Sequence, residues 1–174
     1  MFQILRSTIL ALMISHGAWA HDIERYGDKV RDFLPFAAAA YSTAVGDVEA
    51  LDDFMAAYVL STIATVALKD VTHKRRPDGS NYRSFPSGHT KTSFVAAAYL
   101  HRRYGFETAL PAYLAASFVG YSRIHSKKHY PIDVLAGAGL AIGTVFAIVE
   151  PRENVIIMPV VTQDQVGFSF QMKF

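Results

Sequence analysis

Five apolar stretches separated by polar segments constrain the fold of this 174-residue chain more than any other feature. They run over residues 33–45, 54–68, 94–100, 109–121 and 132–149, and Ala, Leu and Met dominate them. These residue types favour helix over strand. The sequence therefore predicts an all-α fold, a helical bundle of about five to six helices that run alternately up and down.

The pattern changes near the carboxy terminus. Residues 155–161 are β-prone, residues 162–165 are polar, and from Val166 to Phe174 apolar residues alternate with small or polar ones. This alternation is typical of a short β-hairpin with one apolar face. One hairpin cannot close a membrane barrel, so we expect it to pack on the helices.

The first twenty residues have the pattern of a secretory signal. Arg6 precedes an apolar stretch at residues 9–14, and Ala18 and Ala20 provide small residues before His21. We predict a signal peptide at residues 1–20 and one folded domain at residues 21–174, because a chain of this length builds a single core. An uncleaved anchor helix is the alternative, and amino-terminal sequencing distinguishes the two.

The composition favours membrane contact. Half of the residues are apolar and 18% are charged, whereas soluble proteins average about a quarter charged. Only residues 132–149 approach the roughly 20 residues of a full membrane span. Alternating passes would put residues 69–85 and 122–131 together in the periplasm and the basic cluster 101–103 in the cytoplasm. A soluble bundle would also bring alternate loops to one end.

Several function classes are disfavoured by composition. The chain has no cysteine, which excludes disulfides, thiolate metal sites and cysteine nucleophiles. Its net charge is only +2 and its one basic run covers residues 69–76, whereas nucleic-acid binders usually carry a broad basic face. We therefore expect no nucleic-acid partner. The sequence does not indicate an oligomeric state.

Three polar clusters between the apolar stretches carry residue types suited to phosphate chemistry. In the first, Lys69 and Arg76 are seven residues apart, so both cations lie on nearly the same face of a helix that Pro77 would end. Two cations on one face could reach one anion. A solvated basic helix end, with Lys74 and Arg75, is the alternative for this cluster alone.

The second cluster, Pro86 to His89, is a small-residue turn that opens a helix. Free backbone N–H groups and the helix dipole favour a phosphate oxygen at such a position, and Gly88 lets the anion approach without a Cβ in the way. Ser87 taken alone is equally typical of an ordinary N-cap.

The third cluster contains Ser122, Arg123, His129 and Asp133, with Pro131 suited to the first turn of a helix. The carboxylate could hold one imidazole nitrogen of His129 and leave the other free to attack. A His-x3-Asp pair by itself is more often a local hydrogen bond at a helix start.

The order and spacing of the three clusters together resemble the type 2 phosphatidic acid phosphatase superfamily, which also contains bacterial acid phosphatases and vanadium haloperoxidases. Its patterns Lys-x6-Arg-Pro, Pro-Ser-Gly-His and Ser-Arg-x5-His-x3-Asp all occur between residues 69 and 133. The resemblance does not cover the amino-terminal third or the hairpin. Only residues 78–85 link the first two patterns, and we expect this short link to narrow the pocket mouth.

The resemblance implies a role for each motif residue. His129, supported by Asp133, would attack phosphorus and form a phosphohistidine, while His89 would protonate the leaving oxygen and later activate water. Metal ions and other cofactors would not be required, because the cations neutralise the phosphate. The phosphate would be bound by Lys69, Arg76, Ser87, Gly88 and Arg123.

The resemblance thus implies a metal-independent phosphatase of the bacterial cell envelope that cleaves a phosphate monoester or pyrophosphate. We expect a lipid phosphate as substrate, such as phosphatidic acid, phosphatidylglycerol phosphate, undecaprenyl pyrophosphate or lipid A, and a site that faces the periplasm from the inner membrane. A soluble periplasmic nonspecific acid phosphatase is the alternative. A vanadium-dependent haloperoxidase on the same scaffold is less favoured.

Two other classes fit the residues less well. A metal-dependent hydrolase could use His73, His89, His125 and His129 as ligands, but the sequence has no His-Glu-x-x-His pattern and few carboxylates near these histidines. A protein that merely binds an anionic headgroup would have no need of the paired nucleophile and acid.

Overall fold

The computed structural model describes the backbone of residues 2–152, 154–161 and 166–173, and the side chains of residues 22–152. This part of the chain contains five helices followed by two antiparallel strands, so the predicted helical bundle with a carboxy-terminal hairpin is confirmed. Packing of the hairpin on the helices concerns side chains outside the described residues. The elements are α1 (Phe2–Ala44), α2 (Ala50–Thr72), α3 (Gly88–Tyr104), α4 (Phe106–His125), α5 (Pro131–Ile148), β1 (Asn154–Val161) and β2 (Val166–Lys173).

Helix α1 is longer than its apolar stretch. It continues through the predicted cleavage point after Ala20 and through the polar residues 21–32. Charged residues such as Glu, Arg and Lys are good helix formers, so this polar segment extends the helix without contributing an apolar stretch. The signal peptide at residues 1–20 stays a prediction.

Helix α3 lies at the centre of the bundle. Residues 95–99 are fully buried, and three of them are alanines, whose small side chains let neighbouring helices approach closely. Two contacts give the direction of α1: Asp28 lies beside His89, and the Ser42 and Tyr99 hydroxyls are 2.6 Å apart. Helix α1 therefore runs parallel to α3.

The remaining helices alternate in direction, as predicted for an up-and-down bundle. Helices α2 and α4 run antiparallel to α3, and α5 runs parallel to it. Residues 73–87 and 126–130 consequently meet at one end, where the Asp78 N–H donates to the Lys127 carbonyl at 3.0 Å. The pairs that fix these directions are Lys91 with Thr62 and Tyr99 with Phe54 for α2, Phe94 with Tyr113 and Thr90 with Gly120 for α4, and Ser87 with Asp133 and Arg102 with Val149 for α5.

An ion pair fastens the opposite end of the bundle. Arg103, near the end of α3, donates from Nε and Nη2 to the two carboxylate oxygens of Asp47 at 2.8 and 2.9 Å. The Tyr104 hydroxyl donates to the same carboxylate at 2.9 Å. Since Asp47 lies in the turn between α1 and α2, this contact ties that turn to the central helix.

Two of the described helices, α2 and α5, are long and apolar enough to cross a membrane. Only 22% of the residues in each apolar window are buried inside the bundle. Most of their apolar side chains therefore face outward, with Ile63 and Leu135 as examples. Such outward apolar faces suit contact with lipid.

Candidate active site

The three predicted clusters converge at the end of the bundle that carries residues 73–87 and 126–130. The Ser87 N–H donates to the Asp133 carbonyl at 2.8 Å, which joins the start of α3 to the start of α5. A Cβ at Gly88 would lie 4.0 Å from Cε of Lys69, so the end of α2 adjoins the same point. Residues up to 64 positions apart therefore share one site.

His129 is buried and its ring is held by the backbone. Its Nδ1 lies 2.7 Å from the Ser84 carbonyl oxygen, which can only accept a hydrogen bond. Nδ1 must therefore carry the proton of the neutral ring, and Nε2 carries the lone pair. This tautomer leaves Nε2 as the nucleophilic nitrogen.

Asp133 does not hold His129 directly, as the sequence had suggested it could. The distance from His129 Nδ1 to Asp133 Oδ2 is 3.9 Å, too long for a hydrogen bond. Instead Oδ2 accepts from the Ser84 hydroxyl at 2.5 Å and from the Tyr130 N–H at 2.9 Å. The carboxylate thus acts on His129 through Ser84, whose carbonyl contacts the imidazole.

Lys74 completes this network. Its Nζ donates to Asp133 Oδ1 at 2.7 Å and lies over the Tyr130 ring, 4.6 Å from the centroid. A buried carboxylate is costly unless it is paired, and Lys74 supplies the charge. Sequence reasoning named Lys74 only in the alternative of a solvated helix end, and it did not single out Ser84. The sequence does not indicate which basic residue pairs with Asp133.

The electrostatic surroundings keep His129 neutral. Burial, followed by the charges of Lys69 and Arg76, lowers the pKa of His129 to about 3. The Ser84 carbonyl and Asp133 oppose this shift but are outweighed. The imidazole is therefore unprotonated at neutral pH, as an attacking nitrogen must be.

His89 contacts a carboxylate from helix α1. Its Nε2 lies 3.1 Å from Oδ1 of Asp28, and the same oxygen lies 2.9 Å from Nη1 of Arg123. Burial, and then the charges of Arg123 and Arg31, lower the pKa of His89 to about 4, while the Asp28 charge raises it. Asp28 is therefore the group that favours the protonated form of His89.

Arg123 is almost fully buried and is anchored on α1. Its Nη2 donates to the Glu24 carbonyl at 2.7 Å, and its Nε donates to the Ser122 hydroxyl at 3.1 Å. Helix α1 approaches this closely because residue 27 is glycine: a Cβ there would lie 2.1 Å from the Ser122 hydroxyl oxygen. The polar part of α1, which has no motif, thus forms one wall of the site.

Sequence reasoning missed this wall. Glu24 and Asp28 are four residues apart, so they lie on one face of a helix. That spacing is the only signal, and a charged helix face is usually solvated. The partners of Asp28 are 61 and 95 positions away in sequence, and local patterns do not report such contacts.

The remaining predicted phosphate-binding residues surround the same space. Lys69 Nζ donates to the Arg83 carbonyl at 2.8 Å and to the Pro86 carbonyl at 2.5 Å. Arg76 Nε is buried without a hydrogen-bond partner among the described residues. The Ser87 hydroxyl accepts from Thr90 as an N-cap, and a Cβ built on Gly88 would come no closer than 3.9 Å to another side chain, that of Thr65. An anion could therefore approach Gly88 and Arg76.

The residues considered as metal ligands are not brought together. His73 and His125 are exposed. Among the side chains of residues 22–152, no three of His, Asp or Glu are grouped to hold a metal ion. The arrangement that does exist, two imidazoles and three cations around one space, is suited to binding and transferring an anionic group.

Comparisons with known proteins find similar sequences over much of this chain. A family model described as the PAP2 superfamily matches residues 78–155. The lipid A 4'-phosphatase of Helicobacter pylori is 28% identical over 178 aligned positions, which cover 91% of this chain and 88% of that protein. The lipid A 1-phosphatase of Porphyromonas gingivalis is 44% identical over 70 residues, or 38% of this chain, and the chain spans only 16% of its length.

A solved structure shares the fold. The crystal structure of Aquifex aeolicus LpxE superposes with a TM-score of 0.64 and 23% identity, over 75% of this chain and 84% of that one. The helical fold is therefore one found in an experimentally determined structure.

Proposed function

We propose that this chain, whose residues 78–155 match the PAP2 superfamily model, is a member of the type 2 phosphatidic acid phosphatase superfamily and hydrolyses a lipid phosphate through a phosphohistidine on His129. The observation that carries the proposal is the tautomer of His129, whose Nδ1–H is bound by Ser84 and whose Nε2 lone pair is free to attack. A neutral, oriented imidazole beside three cations is what this reaction requires.

The proposed reaction has two steps. In the first, His129 Nε2 attacks phosphorus, the bond to the leaving oxygen breaks, and His89 gives that oxygen a proton. In the second, His89 takes a proton from water as the water attacks the phosphohistidine, which releases inorganic phosphate and restores both histidines. Lys69, Arg76 and Arg123 would neutralise the phosphoryl oxygens in both steps.

The Ser84 network would stabilise the charge that forms on His129. When Nε2 bonds to phosphorus, the imidazole becomes cationic while Nδ1–H remains bound to the Ser84 carbonyl. Asp133 is 3.9 Å from Nδ1 and is fully buried, so its negative charge acts on the cation through little solvent. No step of this reaction draws on a metal ion, and we propose that activity is metal-independent.

A lipid substrate is favoured over a water-soluble one by two observations. The relative named lipid A 4'-phosphatase aligns with 91% of this chain, and the relative named lipid A 1-phosphatase is 44% identical over 70 residues. The apolar faces of α2 and α5 point outward. We propose a location in the inner membrane of a bacterial cell envelope, with the site on the periplasmic side, and a soluble periplasmic acid phosphatase is the second candidate.

A phosphate-release panel tests this function. The purified full-length chain is assayed in detergent and EDTA with lipid A, phosphatidic acid, undecaprenyl pyrophosphate and p-nitrophenyl phosphate. We expect turnover of at least one lipid phosphate at a higher kcat/KM than p-nitrophenyl phosphate. Turnover of the water-soluble ester alone would favour the acid phosphatase, and activity restored only by zinc would refute metal independence. Halide oxidation activated by vanadate would identify a haloperoxidase.

His129→Ala tests the mechanism. We expect turnover to fall by on the order of 10⁴-fold, because no other group can form the covalent intermediate. The matched control is His125→Ala, an exposed histidine at the end of α4, which should keep full activity. Circular dichroism checks that both variants fold. A His129→Ala protein that folds and retains normal turnover would contradict the phosphohistidine mechanism.

A further inference from the structure

An apolar cleft of about 280 Å³ lies between α1 and α2. These two helices make few contacts with each other, since α1 packs mainly on α3 and α4, and α2 packs mainly on α3 and α5. Thr92 of α3 lines the cleft, and so do Arg31 and Asp32, which are the lining residues of α1 closest in sequence to Asp28. The apolar walls come from Pro35 and Phe36 of α1 and from Phe54, Met55 and Tyr58 of α2.

The cleft begins one helical turn from His89. Thr92 follows His89 by three residues on α3, and Arg31 follows Asp28 by three residues on α1. Asp28 Oδ1 is itself 3.1 Å from His89 Nε2. The charge of Arg31 also acts on His89, where it lowers the pKa. The cleft therefore adjoins the part of the site that holds the proposed acid.

The leaving group of the proposed reaction would lie on this same side. In phosphoryl transfer the attacking and leaving atoms are roughly in line with phosphorus, so the leaving oxygen lies opposite His129 and next to the acid. His129 sits against Ser84 on the α5 side of the site, and α5 does not line the cleft. The organic part of the substrate would thus leave phosphorus where the cleft begins.

The lining matches the chemistry of a lipid leaving group. Arg31, which pairs with Asp32 at 3.0 Å, is the lining cation nearest the phosphate site, and beyond this pair the walls are almost entirely apolar. Phe36 is 74% exposed and Met55 is 54% exposed, so the cleft opens sideways to the apolar outer surface of the bundle. A chain anchored by its headgroup at the site could follow this groove along the helix axes.

We propose that the cleft between α1 and α2 binds an acyl chain of the substrate lipid, with Arg31 beside the polar part to which that chain is attached. This inference rests on the proposed lipid phosphatase function. The cleft would be the part of the protein that distinguishes a lipid ester from a small water-soluble ester.

Met55→Trp tests the proposal by filling the cleft from α2. The assay compares kcat/KM for long-chain phosphatidic acid in detergent with kcat/KM for p-nitrophenyl phosphate. We expect the lipid value to fall by roughly 10-fold or more, since a blocked hydrophobic pocket discriminates at least that strongly. The p-nitrophenyl phosphate value should stay within about twofold of the wild type, because its small leaving group does not reach the cleft.

Ile63→Trp is the matched control. Ile63 lies on the same helix, is 60% exposed and does not line the cleft. A second variant, Phe36→Trp, fills the cleft from the opposite wall and should reproduce the loss. Equal losses in the Ile63 and cleft variants, or parallel losses for both substrates in both cleft variants, would overturn the proposal. A wild-type protein that hydrolyses p-nitrophenyl phosphate but no lipid would overturn it too, whereas one that hydrolyses neither overturns the proposed function itself.

Discussion

Asp28 shows how a residue outside every motif can take part in the site. One carboxylate oxygen contacts both the proposed acid His89, at 3.1 Å, and the buried guanidinium of Arg123, at 2.9 Å. Its charge opposes the burial and the three arginines, Arg123, Arg31 and Arg76, that lower the pKa of His89. Asp28 thus positions the imidazole and favours its protonated form.

Asp28→Asn should lower kcat/KM for a phosphate ester by roughly 10-fold, because less of the acid is protonated. Removing a charge that raises the pKa of His89 lowers that pKa further. The protonated form is then lost at a lower pH, so the alkaline decline of kcat/KM should move to lower pH. The measurement is a pH profile of kcat/KM for both proteins.

Asp22→Asn serves as the control for that profile. Asp22 lies on the same helix and pairs with Arg25 at 2.9 Å, and both side chains are about half exposed. Its profile should match the wild type. An unshifted profile for Asp28→Asn would show that Asp28 has no influence on the acid.

The residues of the three motifs were predictable because their spacing along the chain is fixed. Ser84, Lys74 and Asp28 were not, since each acts through a contact with a residue at least 45 positions away. Their side chains are ordinary for a turn or for the surface of a helix. Only the folded chain shows that a serine carbonyl, rather than Asp133, touches His129.

At the scale of elements, the packing of α5 against the start of α3 sets the geometry of the site. A Cβ at Gly137 would lie 2.5 Å from the Ser87 carbonyl oxygen, and that atom belongs to the backbone and cannot rotate away. The close contact keeps Ser87 and Gly88 near His129, which precedes α5. Small residues in this helix therefore have different roles, depending on which face they occupy.

Gly137→Ala should lower the free energy of unfolding by about 2 kcal/mol, because the added methyl group forces α3 and α5 apart. It should also reduce kcat, since the turn that we propose binds phosphate moves away from His129. Gly139→Ala is the control on the same helix, as a Cβ there meets no atom within 4 Å. Its stability should be unchanged or up to about 1 kcal/mol higher. Equal effects of the two substitutions would contradict the packing argument.

The apolar stretches predicted the existence of the helices better than their ends. Helix α1 begins far before residue 33, because its polar residues favour helix without being apolar. The sequence did not show which segment packs against the glycine face of α1 at Gly27 or against that of α5 at Gly137. Which glycine faces a backbone depends on how the helices are rotated about their axes.

For the whole molecule, the alternation of helices was predictable because short connections join antiparallel neighbours. The cleft was not, since it depends on α1 and α2 packing on α3 without packing on each other. The ends of the bundle also differ in what they do. One carries the proposed chemistry, and the other is fastened by Arg103 and Asp47.

Asp47→Asn should lower the free energy of unfolding by about 3 kcal/mol at neutral pH, because it leaves the Arg103 charge only partly compensated. The hydrogen bond from Arg103 lowers the pKa of Asp47 below its ordinary value. The stabilisation is therefore present above about pH 4 and is lost as the pH falls through the lowered pKa. Denaturant unfolding at several pH values measures this difference between the wild type and the variant.

The comparison variant is Asp52→Asn, an exposed carboxylate in the first turn of α2. It should cost less than about 1 kcal/mol. If the free energy of unfolding still differed between Asp47→Asn and the wild type at pH 2, the ion pair would not be the cause of that difference.

The contact at Gly27 implies that a chain can carry every motif and still lack an intact site. Helix α1 reaches Ser122 only because a methyl group is missing at position 27, and no motif includes that position. A related chain with alanine there would keep every motif residue, yet its first helix would stand away from the arginine and the acid. Inspection of residue 27 is therefore a useful additional criterion when such chains are sorted into active and inactive members.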